Sequence, residues 1–231
     1  MTRRHQLRLL AKRAIDIAVS AAALVALAPL FALVMLVIKR SSPGPVFYRA
    51  KRAGFRGREI SILKFRSMHT GADRYGAITG CDDPRVFPAG RVLRLLKIDE
   101  LPQLWNVLKG DLSLVGPRPE DLDIVESCYT ARQRNVLNVK PGLTGIPQVV
   151  FYPEFPRYAD CLDPDEHYEK HILPMRLELD LEYIRRQSPR LDLWLVMMTL
   201  LVITHRIWRL LRDRSTHPSA ETAIDTARES A

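Results

Sequence analysis

An acid pair, Asp99-Glu100, stands in the stretch Lys97-Ile98-Asp99-Glu100-Leu101-Pro102-Gln103-Leu104-Trp105-Asn106-Val107-Leu108-Lys109-Gly110. Arg91, Arg94 and Lys97 precede it, and Arg118 follows between Pro117 and Pro119, which stiffen the backbone. Asp99 is placed to cap a helix over 99–108 that Gly110 ends, with Pro102 tolerated in a first turn whose N–H groups are unpaired anyway. Acids at a helix start can simply complement the macrodipole. The surrounding bases suggest more, because helix N-termini and fixed arginines hold phosphates. Positive neighbours should depress a carboxylate pKa and keep it ionised, which suits a nucleophile toward a phosphoryl group. The second acid would then hold Mg²⁺, an ion that takes one or two carboxylates plus phosphate oxygens. Adjacent helical residues point about 100° apart, so the two acids can have different tasks.

The elements that must position this pair are short. Val46-Phe47-Tyr48 and Glu59-Ile60-Ser61-Ile62-Leu63-Lys64-Phe65 read as strands joined by a turn between Gly54 and Gly57. Residues 91–96 read as a helix ahead of the one over 99–108. Ser113-Leu114-Val115 reads as a strand before the rigid Gly116-Pro117-Arg118-Pro119 corner, and 120–136 as a further helix. No internal repeat or low-complexity run interrupts them.

With 231 residues the chain makes one ordinary domain and is too short for several, and 47% hydrophobic with 26% charged residues argues against a disordered or collagen-like chain. The formal net charge of +9 asks for an anionic partner. Cys81, Cys128 and Cys161 are far apart, which excludes a disulfide scaffold and a zinc cluster and fits a reducing compartment. Residues 1–13 hold five basic side chains and no acid, and 17–38 are uncharged over a length that matches a bilayer core. Pro29 interrupts that segment after Ala28, and Lys39, Arg40, Arg49, Lys51 and Arg52 follow it. Basic residues at both ends favour the same side of the membrane. A helix that breaks at Pro29 and returns meets that demand; a simple span remains the other reading. A cleavable signal peptide fits poorly, because the apolar run continues past Ala28-Pro29. Near the end, 191–211 combines Trp194, Met197, Met198 and Trp208 with Arg206 and Arg209, with Arg212 directly after, and reads either as a helix in the membrane interface or as a core helix. Beyond Asp213 the tail is polar and expected to be disordered. The basic clusters abut apolar segments rather than alternating with aromatics, so a bilayer surface explains them better than nucleic acid.

Taken together, Asp82-Asp83-Pro84-Arg85-Val86, Gly90-Arg91-Val92-Leu93-Arg94, Asp99-Glu100-Leu101-Pro102-Gln103-Leu104, Asn106-Val107-Leu108-Lys109-Gly110-Asp111 and Val115-Gly116-Pro117-Arg118-Pro119 closely resemble the bacterial sugar transferase family, the monotopic phosphoglycosyl transferases that act on polyprenyl phosphate. The resemblance extends from Lys12-Arg13-Ala14-Ile15-Asp16 through Lys64-Phe65-Arg66-Ser67-Met68 and Lys140-Pro141-Gly142-Leu143-Thr144-Gly145 to Leu177-Glu178-Leu179-Asp180-Leu181-Glu182-Tyr183, nearly the whole chain apart from the tail. It implies transfer of a sugar-1-phosphate from a UDP-sugar to undecaprenyl or another polyprenyl phosphate, at the start of O-antigen, capsule, exopolysaccharide or glycoprotein assembly. Asp99 would be the nucleophile, with UMP leaving, and Glu100 a catalytic acid that binds Mg²⁺. Lys64, Arg94, Arg118 and Thr144 match substrate-binding positions. The fold implied is α/β: a helix-rich catalytic domain with a small sheet at 41–190, behind a basic segment at 1–13 and a re-entrant hairpin at 14–40, followed by an interfacial helix at 191–212 and a polar tail at 213–231. The domain would face the cytoplasm from the bacterial inner membrane, and a homodimer through the membrane segment is compatible with the chain but not required by it.

Two departures from the family pattern stand out. Many members have Ser-Pro at the membrane break, where this chain has Ala28-Pro29, so no hydroxyl is there to satisfy an opened backbone group. After Thr144-Gly145 the chain runs Ile146-Pro147-Gln148-Val149-Val150-Phe151 into an acidic insertion, 151–166, so the sugar is not to be borrowed from relatives. His167 and His171 lack a third ligand, Asp163, Asp165 and Glu166 read as a solvated face, and acidic neighbours disfavour a reactive Cys81 thiolate. Asp180 reads equally as support for the site and as half of a structural ion pair. The rival class is a catalytically silent membrane scaffold that recruits glycosyltransferases; the intact Asp99-Glu100 pair and Arg118 speak against it.

Overall fold

Two long helices open the chain in the computed structural model, which describes residues 3–72, 83–151 and 164–216. Cys81, Asp82, Cys161, most of the acidic insertion and the end of the tail lie outside those residues. Helix α1 (Arg3–Ala26) gives way at Leu27 to α2 (Ala28–Ser41), with Pro29 in the first turn of α2. A proline there forfeits no helical hydrogen bond, and the break becomes a bend of 60° between the two apolar helices. The chain leaves α2 through a turn that Arg66 holds, its guanidinium donating to the Ser42 carbonyl at 2.7 Å and the Pro43 carbonyl at 2.8 Å.

Strands β1 (Phe47–Ala53) and β2 (Glu59–Phe65) form an antiparallel hairpin in which Phe47 faces Phe65 and Tyr48 faces Lys64. A second sheet pairs β3 (Ser113–Val115) in parallel with β4 (Gly142–Thr144). Glycine is needed where these strands meet the corner beyond them: a Cβ on Gly142 would stand 2.0 Å from the Gly116 nitrogen, and one on Gly116 2.5 Å from the Lys140 carbonyl oxygen. The end of β1 is tied to the segment after the corner beyond β3 where the Ala53 N–H donates to the Glu120 carbonyl at 2.8 Å.

The remaining helices differ in part from the sequence expectation. Helix α3 (Pro88–Leu95) is found close to its expected place. The expected helix over 99–108 divides into a 3₁₀ turn at Ile98–Glu100 and α4 (Gln103–Lys109), whose N-cap position is Pro102. Asp99 is therefore not a cap; it lies inside the turn. Gly110 ends α4 in the left-handed conformation as expected, with φ +102°. The helix expected over 120–136 breaks into α5 (Leu122–Cys128) and a 3₁₀ segment at Gln133–Asn138, because the Gln133 side chain accepts from the Thr130 N–H in between. Beyond β4 come α6 (Ile146–Phe151), the continuous helical run of α7 (Pro164–His167), a π-turn at Tyr168–Ile172 and α8 (Leu173–Arg186), and last α9 (Pro189–Thr216).

Three apolar clusters hold these pieces together. One joins α5 to α8 through Val125, Leu173, Leu177 and Leu181. Another seats the hairpin and α3 on α2: Val34 and Ile38 pack with Phe65, Phe87 and Leu93, and Ile98 packs against them. The third sets Leu195 of α9 on Val115 and Tyr183. Helix α9 is long and apolar enough to cross a bilayer, and only 6% of its most apolar window is buried, so it is not a core helix. Leu193, Trp194, Met197, Leu200, Leu201 and Trp208 are exposed along it.

Polar side chains of α1 lock that helix to the catalytic elements. Arg13 donates to the last carbonyls of α4, Val107 at 2.6 Å and Leu108 at 2.8 Å. Buried Asp16 accepts from the Ser113 hydroxyl and the Leu114 N–H of β3. Lys12 pairs with Asp192 of α9 at 2.6 Å.

Candidate active site

The site is organised around one oxygen. Glu100 Oε1 receives Lys64 Nζ at 3.4 Å, Lys97 Nζ at 3.6 Å and an Arg118 terminal nitrogen at 3.6 Å. The three cations arrive from different places: Lys64 from the end of β2, Lys97 from the residue before the 3₁₀ turn, and Arg118 from the corner after β3. Lys97 takes a left-handed conformation, φ +57°, uncommon for a residue with a side chain. That reversal swings the chain from α3 into the turn and brings Lys97 back over Glu100. Backbone strain of this kind concentrates at functional sites.

Asp99 lies behind this cluster. It is 6% exposed, and its Oδ1 is buried with no hydrogen-bond partner. Burial pushes its carboxyl above the ordinary range, and the Glu100 charge adds to the rise, against the attraction of Lys64, Lys97 and Arg94. For Glu100 burial acts in the same upward sense, but Lys97, Lys64 and Arg118 outweigh it and hold the carboxyl well below the ordinary range. The expected depression thus applies to Glu100 and must be corrected for Asp99, because the cations converge on the former and leave the latter desolvated. Burial also lowers the Lys64 ammonium, partly offset by Glu100.

Asn106 sets the distance between β2 and the acid pair. Its Oδ1 accepts from the Leu63 N–H at 2.8 Å, and its Nδ2 donates to the Ser61 carbonyl at 2.7 Å and to Asp111 at 3.2 Å. One amide therefore satisfies the open edge of β2 beside Lys64 and ties it to α4. Arg118 is backed by a buried ionic group: Arg176 pairs with Glu120 at 2.6 Å and also meets the Tyr168 hydroxyl. Asp180, 1% exposed, stands against Arg176 and the Arg118 backbone, and burial pushes its carboxyl up to about 7. It supports the corner from behind rather than lining the site.

Of the residues singled out in the sequence, the structure brings together Asp99, Glu100, Lys64 and Arg118, with Arg94 within electrostatic reach of Asp99. Thr144 is elsewhere: it is buried at the end of β4, its hydroxyl 2.6 Å from that of Thr199 on α9. Ala28 and Pro29 form the bend between α1 and α2. In the sequence Lys97 stands only as charge around the pair, although its spacing of three from Glu100 is a usable signal. Asn106 carries no such signal, since nothing local reveals an amide that bonds a strand edge more than forty residues away.

Among the described residues no three His, Cys, Asp or Glu side chains converge. Asp99 and Glu100 supply two neighbouring carboxylates, one with an orphaned oxygen, which fits an ion that draws its other ligands from phosphate and water.

Comparison with known proteins identifies the family. The family model for bacterial sugar transferases matches residues 7–206, and the chain belongs to that family. It is 41% identical over 203 residues to an undecaprenyl-phosphate glucose phosphotransferase from Komagataeibacter xylinus, covering 83% of this chain and 35% of that protein. It is 42% identical over 197 residues to a UDP-glucose:undecaprenyl-phosphate glucose-1-phosphate transferase from Caulobacter vibrioides, covering 82% and 68%. An Aeromonas hydrophila UDP-N-acetylgalactosamine-undecaprenyl-phosphate N-acetylgalactosaminephosphotransferase is 37% identical over 83% of this chain and 43% of its own length. The chain thus spans between about a third and about two thirds of these three relatives.

Proposed function

We propose that this chain is a phosphoglycosyl transferase that moves a sugar-1-phosphate from a UDP-sugar to a polyprenyl phosphate, opening the assembly of a bacterial glycoconjugate. The observation that carries the reading is the position of the acid pair: Glu100 lies beneath three converging cations with buried Asp99 next to it, in a turn whose Ile98 packs on the same cluster as Val34 and Ile38 of apolar α2. Phosphate recognition and membrane contact meet within one layer of side chains. The three relatives are named for reactions of this kind.

In the first half, a carboxylate oxygen of Asp99 attacks the sugar-bearing phosphorus. The bond to the bridging oxygen breaks, UMP departs with that oxygen, and the phosphosugar stays on Asp99. The raised basicity of Asp99 strengthens it as a nucleophile, and its burial excludes water that would hydrolyse the acyl phosphate. Lys64, Lys97 and Arg118 hold the negative charge that builds on the diphosphate. In the second half, a phosphate oxygen of the polyprenyl phosphate attacks the same phosphorus, the bond to Asp99 breaks, and the carboxylate is restored. Glu100, ionised throughout, together with Asp99 would hold Mg²⁺; when bound, that ion neutralises charge on the phosphate oxygens.

The bend at Leu27-Ala28-Pro29 supports a re-entrant placement in which both basic flanks stay cytoplasmic. On that reading α9 lies along the surface of the inner membrane with its exposed Trp and Leu side chains in the lipid. A cysteine placed at residue 2 should resist an impermeant thiol reagent in intact cells; labelling would contradict the hairpin. The reaction is tested by UMP release from nanodisc-held protein supplied with Mg²⁺, undecaprenyl phosphate and a panel of UDP-sugars. Release from one of them, lost in Asp99→Asn, is expected. Release that persists in the variant would remove Asp99 from its role.

A further inference from the structure

The acid pair and Arg118 belong to different cores. Ile98 of the acid turn, and Phe65 next to Lys64, pack with Val34 and Ile38 of α2, whereas Val115, three residues before Arg118, packs with Tyr183 and Leu195. Among the described residues those two cores share no side chain. The site is therefore a seam, and the 3.6 Å approach of Arg118 to Glu100 depends on how the two cores are held together.

Along the chain the seam is an angle between two arms. Helix α4, seven residues long, runs from just after the acid pair to Gly110, and β3 runs from Ser113 toward Arg118. Both halves of the site thus stand at the far ends of arms that meet at 110–112. An arm of about 10 Å, the length of seven helical residues, swings its tip by about 2 Å for every 10° of opening, enough to carry Arg118 beyond ion-pair distance of Glu100.

A single turn of α1 crosses that angle. Arg13 donates to the Val107 and Leu108 carbonyls on the α4 arm at 2.6 and 2.8 Å. Asp16, one turn further on, accepts from the Ser113 hydroxyl at 2.8 Å and the Leu114 N–H at 3.1 Å on the β3 arm. Three residues apart, the two side chains lie on the same face of the helix. Asp16 is 4% exposed, and each of its oxygens takes one of these bonds. On the far side of Arg118 the ties come from β1: the Ala53 N–H holds the Glu120 carbonyl, and Arg52 pairs with Asp121 at 2.7 Å. Those fix the chain after Arg118, and Asp16 fixes it before. A helix that were only anchored could attach to either core; α1 attaches to both, on the two sides of the angle.

We propose that Asp16 is a positioning residue for the transfer: it holds the β3 arm on α1 while Arg13 holds the α4 arm, and so sets Arg118 over Glu100. This inference rests on the phosphoglycosyl transferase reading and makes the first helix of the apolar hairpin part of the frame of the site. Asp16 touches no substrate; it acts through Arg118.

The test uses the full chain in nanodiscs, with Asp16→Ala, Asp16→Asn, Ser113→Ala, Arg118→Gln and the Asp16→Ala/Arg118→Gln pair beside the wild type. In the first turnover without acceptor, the amplitude of UMP release counts folded sites and its rate constant reads their geometry. Asp16→Ala should slow that rate constant about tenfold or more, with Asp16→Asn, which keeps an acceptor for Leu114, recovering most of it. Ser113→Ala, which removes one of the two bonds and leaves the buried acid in place, should be slowed less than Asp16→Ala. In the Arg118→Gln background Asp16→Ala should add little, because residues that act through one another are not additive. A lower amplitude with the wild-type rate constant would make Asp16 a fold residue only and overturn the proposal, as would slowings by Asp16→Ala and Arg118→Gln that multiply in the pair. If the wild type releases no UMP from any UDP-sugar, the reaction reading fails by itself. Hydrogen exchange at the Leu114 and Arg118 amides then still decides the brace: faster exchange in Asp16→Ala supports it, and unchanged exchange overturns it.

Discussion

Replacing Asn106 by alanine should loosen the fold and the site together. The amide is 3% exposed and bonds the Leu63 N–H at 2.8 Å and the Ser61 carbonyl at 2.7 Å, on the edge of β2 immediately before Lys64. Alanine leaves both backbone groups in place without that partner; a group cut off from water costs about 1–3 kcal/mol, and the exposed position of Ser61 sets the loss toward the lower end. The sum, about 2–6 kcal/mol at the limit of full burial, is a large share of the roughly 5–15 kcal/mol that stabilises an ordinary domain. Asn106→Asp should be worse: it keeps an acceptor for Leu63 but turns a second oxygen toward the Ser61 carbonyl and the Asp111 carboxylate 3.2 Å away. Thermal unfolding in detergent measures the loss, hydrogen exchange at the Leu63 amide locates it, and first-turnover UMP release reports the displacement of Lys64. Wild-type stability in Asn106→Ala with Leu63 still protected would refute the clamp, and so would an aspartate variant more stable than the alanine one.

Two other expectations concern protons. Asp99 must be an anion to attack, and burial and Glu100 raise its pKa above the ordinary carboxylate range, so first-turnover UMP release should fall on acidification at a higher pH than for a free carboxylate. Glu100→Gln removes one of those causes and frees the three cations to act on Asp99; the acid limb should move to lower pH even where the maximal rate drops, and an upward shift would contradict the electrostatics. Asp180, pushed up to about 7 by burial, binds its proton more tightly folded than unfolded. Stability should therefore decline as pH rises from about 4, the unfolded carboxylate value, toward 7. Asp180→Asn should flatten that decline, measured as the pH dependence of Tm; an unchanged slope would place the proton elsewhere.

The local signals that the sequence carries most clearly are those that need only neighbours. The hairpin, α3, β3 and the Gly110 stop follow from turn residues and apolar patterning, and Pro29 marks the bend. Helix 99–108 was misjudged because an acid before a Pro at the third following position resembles a capped start, whereas the chain makes a 3₁₀ turn first and restarts at Gln103. The acid pair, Lys64, Arg94 and Arg118 were legible as a group through the family motifs and their charge. Their electrostatics were not: which acid meets the cations depends on the left-handed Lys97, a single dihedral with no sequence mark. Asn106 and the locks that Arg13 and Asp16 make to α4 and β3 are long-range bonds, visible only once both ends are placed.

The most direct measurement of the central claim is the mass of the protein itself after incubation with the UDP-sugar that releases UMP, in the absence of acceptor and under acidic quench. The covalent account predicts one added sugar phosphate, located on the peptide holding Asp99, absent from Asp99→Asn and discharged when undecaprenyl phosphate is supplied. An unmodified protein that releases UMP only when acceptor is present would mean direct transfer between the two substrates and would contradict Asp99 as the nucleophile.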